Sequence, residues 1–212
     1  MSFISIISQF LYYRTIPEHE EIKKQLMPKI LEQEEKFKNN NIGIENAYTN
    51  YSNEVKWREH SSFLGDPSVL KPIVLQTIVE VINHMKSNNI LPIPPYKGYF
   101  IDNCWYTRYN TDGSFDYHQH GHTQSIIDGK IANTIFSIIY ILNDQNVGNS
   151  TMFMNHDRNY LSIYKDIEID TADYSDIKEG TVIIFPSNFH HKVKPIKIPN
   201  RMTVSYNILG VL

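Results

Sequence analysis

The chain holds a single cysteine, Cys104, among 212 residues. No disulfide can close within it, so a reducing compartment is the expected setting. Cys104 sits in the apolar, aromatic run IDNCWYTRY, where packing accounts for a thiol better than nucleophilic catalysis does. No block of lysine or arginine stands out, and the net charge is only −3. Nucleic-acid binders show a basic stripe, so neither DNA nor RNA is an expected partner. No apolar run is long enough to span a bilayer. The N-terminal SFISIISQFLYY is short and lacks the basic leader and small-residue cleavage site of a signal peptide; it reads as a strand. A cytoplasmic chain with no membrane contact is expected. Internal repeats and low-complexity tracts are missing as well.

What is present is globular. Apolar residues make up 41% and aromatics 12% of a chain long enough to bury a sizeable core. Residues 17–39 read as a helix, with Glu18, Glu20 and Glu21 crowding the first turn, where the helix dipole favours anions. Ile22, Leu26, Ile30 and Phe37 form its apolar stripe, and Pro28 is expected to kink or split it. A polar stretch with Trp57 follows, and SFLGDPS looks like a turn with Ser68 as a helix cap. The clearest helix is 69–87, where Leu70, Ile73, Val74, Ile78, Val81, Ile82 and Met85 recur at three and four residues. After the proline-rich link LPIPPYKG the pattern turns to short β-rich runs, separated by turn signals such as NTDG, NDQNVGN and KEG. The fold class is therefore α+β. One domain is expected over 1–212, with a strand and supporting helices in 1–97 and an antiparallel sandwich or barrel in 98–212, the helices packed on one sheet.

The chemistry concentrates in the β-rich half. FDYHQHGHT places His118, His120 and His122 at alternate positions, and alternate side chains of a strand share a face. His156 lies in NHDR, and PSNFHHKV adds His190 and His191. Two ligands from one strand and a third from a distant one would occupy one face of a metal and leave open positions. Solvated imidazoles on a polar strand end would satisfy the same spacing. In NRMTVSYNIL, Met202, Val204, Tyr206 and Ile208 form one face, and Arg201, Thr203, Ser205 and Asn207 the other. A guanidinium and a hydroxyl two residues apart can hold one carboxylate together; an ordinary arginine on an exposed edge strand fits equally.

Taken in order, these segments resemble the iron(II)/2-oxoglutarate-dependent oxygenases, and more narrowly those of marine bacteria and their phages. The resemblance runs through TIPEHEEIKKQL, YSNEVKWREHSSFLGDP, the tryptophan-containing strand, Gly113 before His118 and His120, FSIIYILN, FMNHD and FPSNFHHKVKPIKIPNRMTVSYN. It covers nearly the whole chain, and its specificity lies in the order and spacing of the segments.

The resemblance implies a double-stranded β-helix (a jelly-roll, cupin-like sandwich). It implies Fe(II) as the metal, with 2-oxoglutarate and O2 as cosubstrates. His118, His120 and His191 would be the metal ligands, the last because the family's valine lies two residues on, here Val193; His190 would point the other way. Arg201 and Thr203 would hold the distal carboxylate of 2-oxoglutarate, and Tyr140 and Tyr106 would line its pocket. The sequence departs from the family at His120, where most members carry Asp or Glu, and Asp157 and His122 are the alternatives for that position. Asp116 is expected to orient an imidazole, and the N-terminal helices and the loop 144–150 to gate the site. The implied reaction is hydroxylation of a small molecule or a protein side chain, coupled to decarboxylation of 2-oxoglutarate to succinate. A three-histidine dioxygenase without 2-oxoglutarate, or a non-catalytic binding sandwich, is the alternative. Exposed apolar strand ends are compatible with a homodimer.

Overall fold

A computed structural model describes residues 2–6, 9–36, 44–49, 67–88, 96–120, 124–145, 150–154 and 168–211. The expected strand 2–13 is two: β1 (Ser2–Ile6) and β2 (Gln9–Thr15) pair antiparallel. Helix α1 (His19–Lys36) runs unbroken through Pro28, and α2 (Pro67–Ser87) begins ahead of Ser68, which lies inside the helix instead of capping it. Strand β3 (Ile44–Thr49) falls where only a polar stretch was expected. Trp57, His122, His156 and Asp157 lie outside the described residues.

The second half follows the expected β rhythm: β4 (Gly98–His118), β5 (Gln124–Ile127), β6 (Lys130–Asn143), β7 (Thr151–Met154), β8 (Glu168–Asp170), β9 (Thr181–Pro186), β10 (His190–Val193) and β11 (Arg201–Val211). The strands join in the order β1-β2-β9-β6-β11-β4-β10-β7-β8, all antiparallel, with β3 also on β4 and β5 on β6. The sheet curls on itself as a double-stranded β-helix. An Asp-Gly turn at Asp128 (φ 49°) and Gly129 (φ 75°) closes β5 onto β6; both residues need the left-handed conformation that a two-residue hairpin demands.

Strand alternation divides the core in two. Outward-facing Tyr106, Ile138, Leu142, Ile184, Val204 and Ile208 pack beneath the apolar stripes of both helices, Ile22, Leu26 and Ile30 from α1 and Leu70, Val74, Ile78 and Val81 from α2. The expectation that the helices cover a sheet is thus met. Inward-facing Ile139, Ile141, Phe153, Ile183, Phe185 and Phe189 fill the inside of the roll. Polar clamps fix the helices. Arg108 donates two hydrogen bonds of 2.6 Å to the Glu34 carboxylate, a forked pairing stronger than a single contact. Glu80 on α2 accepts from Tyr12 at 2.8 Å and from Arg14 at 3.2 Å.

Candidate metal centre and carboxylate pocket

The cavity of the roll is built on β4 and β11, where Arg201 lies opposite Tyr109, Thr203 opposite Thr107 and Ser205 opposite Trp105. The paired odd-numbered residues Trp105, Thr107, Tyr109, Thr203 and Ser205 line it, with Ile139, Thr151 and Val193. Strict alternation would carry His118, an even position, to the helix side with Tyr106. It does not, because β4 is irregular twice, at a bend around Asp112 and again between Phe115 and His118, and the second changes the face. Asp112 takes a left-handed φ of 63°. Its N–H donates to the Ile196 carbonyl at 2.8 Å, and the Ile196 N–H returns to Gly113 at 3.0 Å. Between the pairs His191–His118 and Val193–Phe115 the register shifts. A bulge re-aims the side chains that follow it. Phe115 and His118 therefore both enter the cavity, and their rings stack at 3.9 Å. NTDG, expected as a chain reversal, is this bend within one continuous strand.

His118, His120 and His191 come together, each offering a ring nitrogen within 4.8 Å of the others. All three rings are oriented through Nδ1. His118 Nδ1 meets the Asp116 carbonyl at 2.8 Å, His191 Nδ1 the Phe189 carbonyl at 3.0 Å, and His120 Nδ1 the Asn207 Oδ1 at 2.6 Å. A carbonyl only accepts, so each Nδ1 carries the proton and each Nε2 keeps its lone pair. That is the tautomer a metal-ligating histidine needs. Asp116 does orient an imidazole, as expected, but through its backbone carbonyl; its carboxylate side chain is exposed.

Burial keeps the rings neutral. It pulls His120 down to about 4, against a smaller upward pull from the Asn207 hydrogen bond. His118 is lowered by burial, and His191 is driven well below the ordinary histidine value by burial and then by its two neighbours. Phe185 and Phe153 pack around His191, at 4.9 and 5.8 Å between ring centres. His190, half-buried, is not in the cluster, as its parity requires.

Arg201 is 1% exposed. Its Nη2 donates to Thr151 Oγ1 at 2.9 Å, and its Nε lies 3.4 Å from Asp144 Oδ2, too far for a good hydrogen bond. Among the described residues, Nε and Nη1 have no hydrogen-bond partner. Buried guanidinium N–H groups left unmatched are costly, and an entering anion would satisfy them. Burial lowers the Arg201 pKa, while the Asp144 carboxylate pulls it back up. Burial also pushes the Tyr109 phenol up to about 12, with Arg201 acting the other way.

Two expected positions fall elsewhere. Tyr140 and Tyr106 are buried on the helix side of the sheet and do not line the cavity. The Tyr140 hydroxyl instead meets His19 Nδ1 at 2.6 Å. Both tyrosines sit one residue out of phase with the inner face. Thr107, Tyr109 and Thr151 line the pocket without a sequence signal that singles them out, although the first two show the same parity as Trp105 within one strand. The helices lie on the opposite side of the sheet from the cavity, which removes their expected gating role among the described residues; 146–149 of the loop lie outside these.

The donor set suits the groups the resemblance implies. Three Nε2 lone pairs fit a divalent transition metal, and the unmatched guanidinium beside the Thr203 and Thr151 hydroxyls fits a carboxylate.

Among solved structures, OsALKBH1 superposes with a TM-score of 0.59 at 15% identity, over 96% of this chain and 98% of that one. The viral collagen prolyl hydroxylase of Paramecium Bursaria Chlorella virus-1 gives 0.47 at 14%, over 95% and 97%. A 2OG-Fe(II) oxygenase family oxidoreductase from Burkholderia pseudomallei gives 0.35 at 18%, over 52% of this chain and only 43% of that one. At 15% identity the likeness to OsALKBH1 is one of fold alone. No curated protein sequence matches the chain. The model of the 2OG-Fe(II) oxygenase superfamily matches residues 104–209, half of the chain. That span takes in the β4 bulge, the three histidines and all but the end of β11. This chain belongs to the 2OG-Fe(II) oxygenase superfamily, whose members use Fe(II), 2-oxoglutarate and O2.

Proposed function

We propose that the protein is a hydroxylase that oxidises an aliphatic carbon of a small molecule or of a protein side chain. The observation that carries this reading is three neutral imidazoles in a cavity lined also by Thr203 and Thr151, with Arg201 buried against that Thr151 and its Nε and Nη1 without a hydrogen-bond partner among the described residues. His118, His120 and His191 would hold the metal through Nε2. Arg201 would hold the distal carboxylate of 2-oxoglutarate, with Thr203 and Thr151 at its side. When bound, Fe(II) with 2-oxoglutarate and O2 supplies the oxidising chemistry; 2-oxoglutarate, O2 and R–H become succinate, CO2 and R–OH.

The chain's own contribution is positional. The carbonyls of Asp116 and Phe189 fix the rings of two ligands. Ile139, Val193, Trp105 and Phe115 form the apolar part of the lining. A neutral three-histidine set leaves the metal more positive than a set with a carboxylate, which favours capture of the anionic cosubstrate.

Anaerobic Fe(II) binding tests this reading, followed with and without 2-oxoglutarate through the visible metal-to-ligand charge-transfer band. Wild type should give the band, and His120→Ala and Arg201→Ala should weaken it. Iron binding without a band in wild type would favour a centre that does not use 2-oxoglutarate. No iron binding would leave a non-catalytic sandwich.

A further inference from the structure

Two of the three candidate ligands are oriented by the main chain. His118 and His191 direct Nδ1 to backbone carbonyls two residues away, which any sequence with this backbone supplies. His120 differs. It lies just beyond the end of β4, and its Nδ1 meets a side chain from another strand, Asn207 on β11, at 2.6 Å. Asn207 is itself held: it is 7% exposed, it pairs across the sheet with Ser137 on β6, and the Ser137 hydroxyl donates to the same Oδ1 at 3.2 Å. Ser137 is fully buried. Trp105 lies against the imidazole with ring centres 5.2 Å apart, and the His120 N–H donates to the Ser187 carbonyl at 3.0 Å.

His120 is also the position where the resemblance implies a carboxylate. A carboxylate offers equivalent oxygens and needs no tautomer fixed. An imidazole offers one lone pair, and in the wrong tautomer that lone pair faces away from the metal. Replacing the carboxylate by histidine therefore requires a group that holds the proton on Nδ1.

We infer that Asn207, backed by Ser137, is the positioning residue that makes His120 a ligand. It accepts the Nδ1 proton and leaves Nε2 facing His118 and His191. The inference rests on the proposed metal site for its consequence, but its geometric content concerns the metal-free protein.

The test has two readouts on wild type, Asn207→Leu and Asn207→Asp. Long-range 15N–1H spectra of the metal-free protein report which nitrogen of His120 carries the proton. Anaerobic Co(II) titration reports affinity, and the ligand-field bands report the donor set. Wild type should show His120 as the Nδ1–H tautomer. Asn207→Leu should mix its tautomers, leave His118 and His191 unchanged, weaken Co(II) binding by about 10- to 100-fold and alter the bands. Asn207→Asp keeps an acceptor in place and should preserve the tautomer and restore binding.

An unchanged tautomer or unchanged Co(II) affinity in folded Asn207→Leu would overturn the inference. Should that variant fail to fold, Asn207→Asp decides: its stronger acceptor must move the His120 Nδ1–H resonance downfield, and an unmoved resonance refutes the contact. Wild-type protein that shows the tautomer but binds no Co(II) would refute the proposed function and support the positioning contact.

Discussion

Replacing Arg201 and its acidic neighbour together should not destabilise the empty protein, and should abolish its response to 2-oxoglutarate. The magnitude follows from the pocket. Arg201 has five N–H donors; at 1% exposure water cannot serve them freely, and Nε and Nη1 have no hydrogen-bond partner among the described residues. A buried donor left unmatched costs about 1–3 kcal/mol, so two such atoms place about 2–6 kcal/mol of unfavourable energy in the empty cavity. Against this stand the Thr151 hydrogen bond at 2.9 Å and the Asp144 carboxylate at 3.4 Å. Removing the arginine alone would withdraw the cation beside a carboxylate that is only 6% exposed, a change that costs about 3–5 kcal/mol at a buried pair. The informative variant is therefore Arg201→Met with Asp144→Asn, which replaces the pair by neutral groups of similar volume. Such replacements run from neutral to about 4 kcal/mol stabilising. The assay is urea unfolding of the metal-loaded, anaerobic protein with and without 2-oxoglutarate. Wild type should gain about 2.7 kcal/mol at a ligand concentration 100 times Kd, and the double variant should gain nothing. A loss of more than about 2 kcal/mol in the ligand-free double variant would refute the reasoning. It would mean that Arg201 is a structural ion pair, with its donors satisfied.

Further outcomes are expected elsewhere. Tyr140→Phe removes the hydrogen bond to His19 on the helix side and should cost about 0.5–1.5 kcal/mol in denaturant melts, with unchanged 2-oxoglutarate affinity by calorimetry; a weakened affinity would restore Tyr140 to the pocket. Phe185→Ala removes a fully buried ring that packs on His191; it should lower stability by about 3–5 kcal/mol, measured as the urea midpoint, and weaken Co(II) binding with it. In the metal-free protein the three histidines have depressed pKa values, with His120 at about 4. The unfolded chain therefore binds more protons below its histidine pKa of about 6.5, and stability should fall as pH drops from there toward 4, by up to about 1.4 kcal/mol per pH unit for each histidine. A flat profile from pH 7 to 4.5 would show that the rings are solvated.

The sequence made the ligand-bearing half of the fold legible because its strands are short, alternating and punctuated by turns. The face of β11 that holds Arg201 and Thr203 could be read from Met202, Val204, Tyr206 and Ile208 alone, which pack under the helices as their period requires. Tyr140 and Tyr106 were misassigned for want of the same parity test: each neighbours a cavity residue, and a shift of one position changes the face. The Asp-Gly hairpin between β5 and β6 has its signal in IIDGKI, an Asp-Gly pair with isoleucine on both sides. Asn207 could be placed on the right face but not against His120, because strands far apart in sequence meet only in the folded sheet. Strand β3 had no readable period, since IENAYT mixes polar and apolar residues without alternation. The β4 bulge was also hidden. NTDG has the composition of a chain reversal, and only the pairing of Asp112 and Gly113 with Ile196 makes it a bend within a strand.

A second irregularity of β4, just beyond that bend, has a corollary. The side of the barrel wall on which His118 emerges depends on a single surplus residue between Phe115 and His118, where three steps of β4 span two of β10, and not on the identity of the histidine. Losing one residue there would leave every ligand codon intact while turning His118 toward the helices, retiring the centre without touching a ligand. A one-residue gain elsewhere in the same arm could reinstate it. A count of retained histidines alone would not detect such a change.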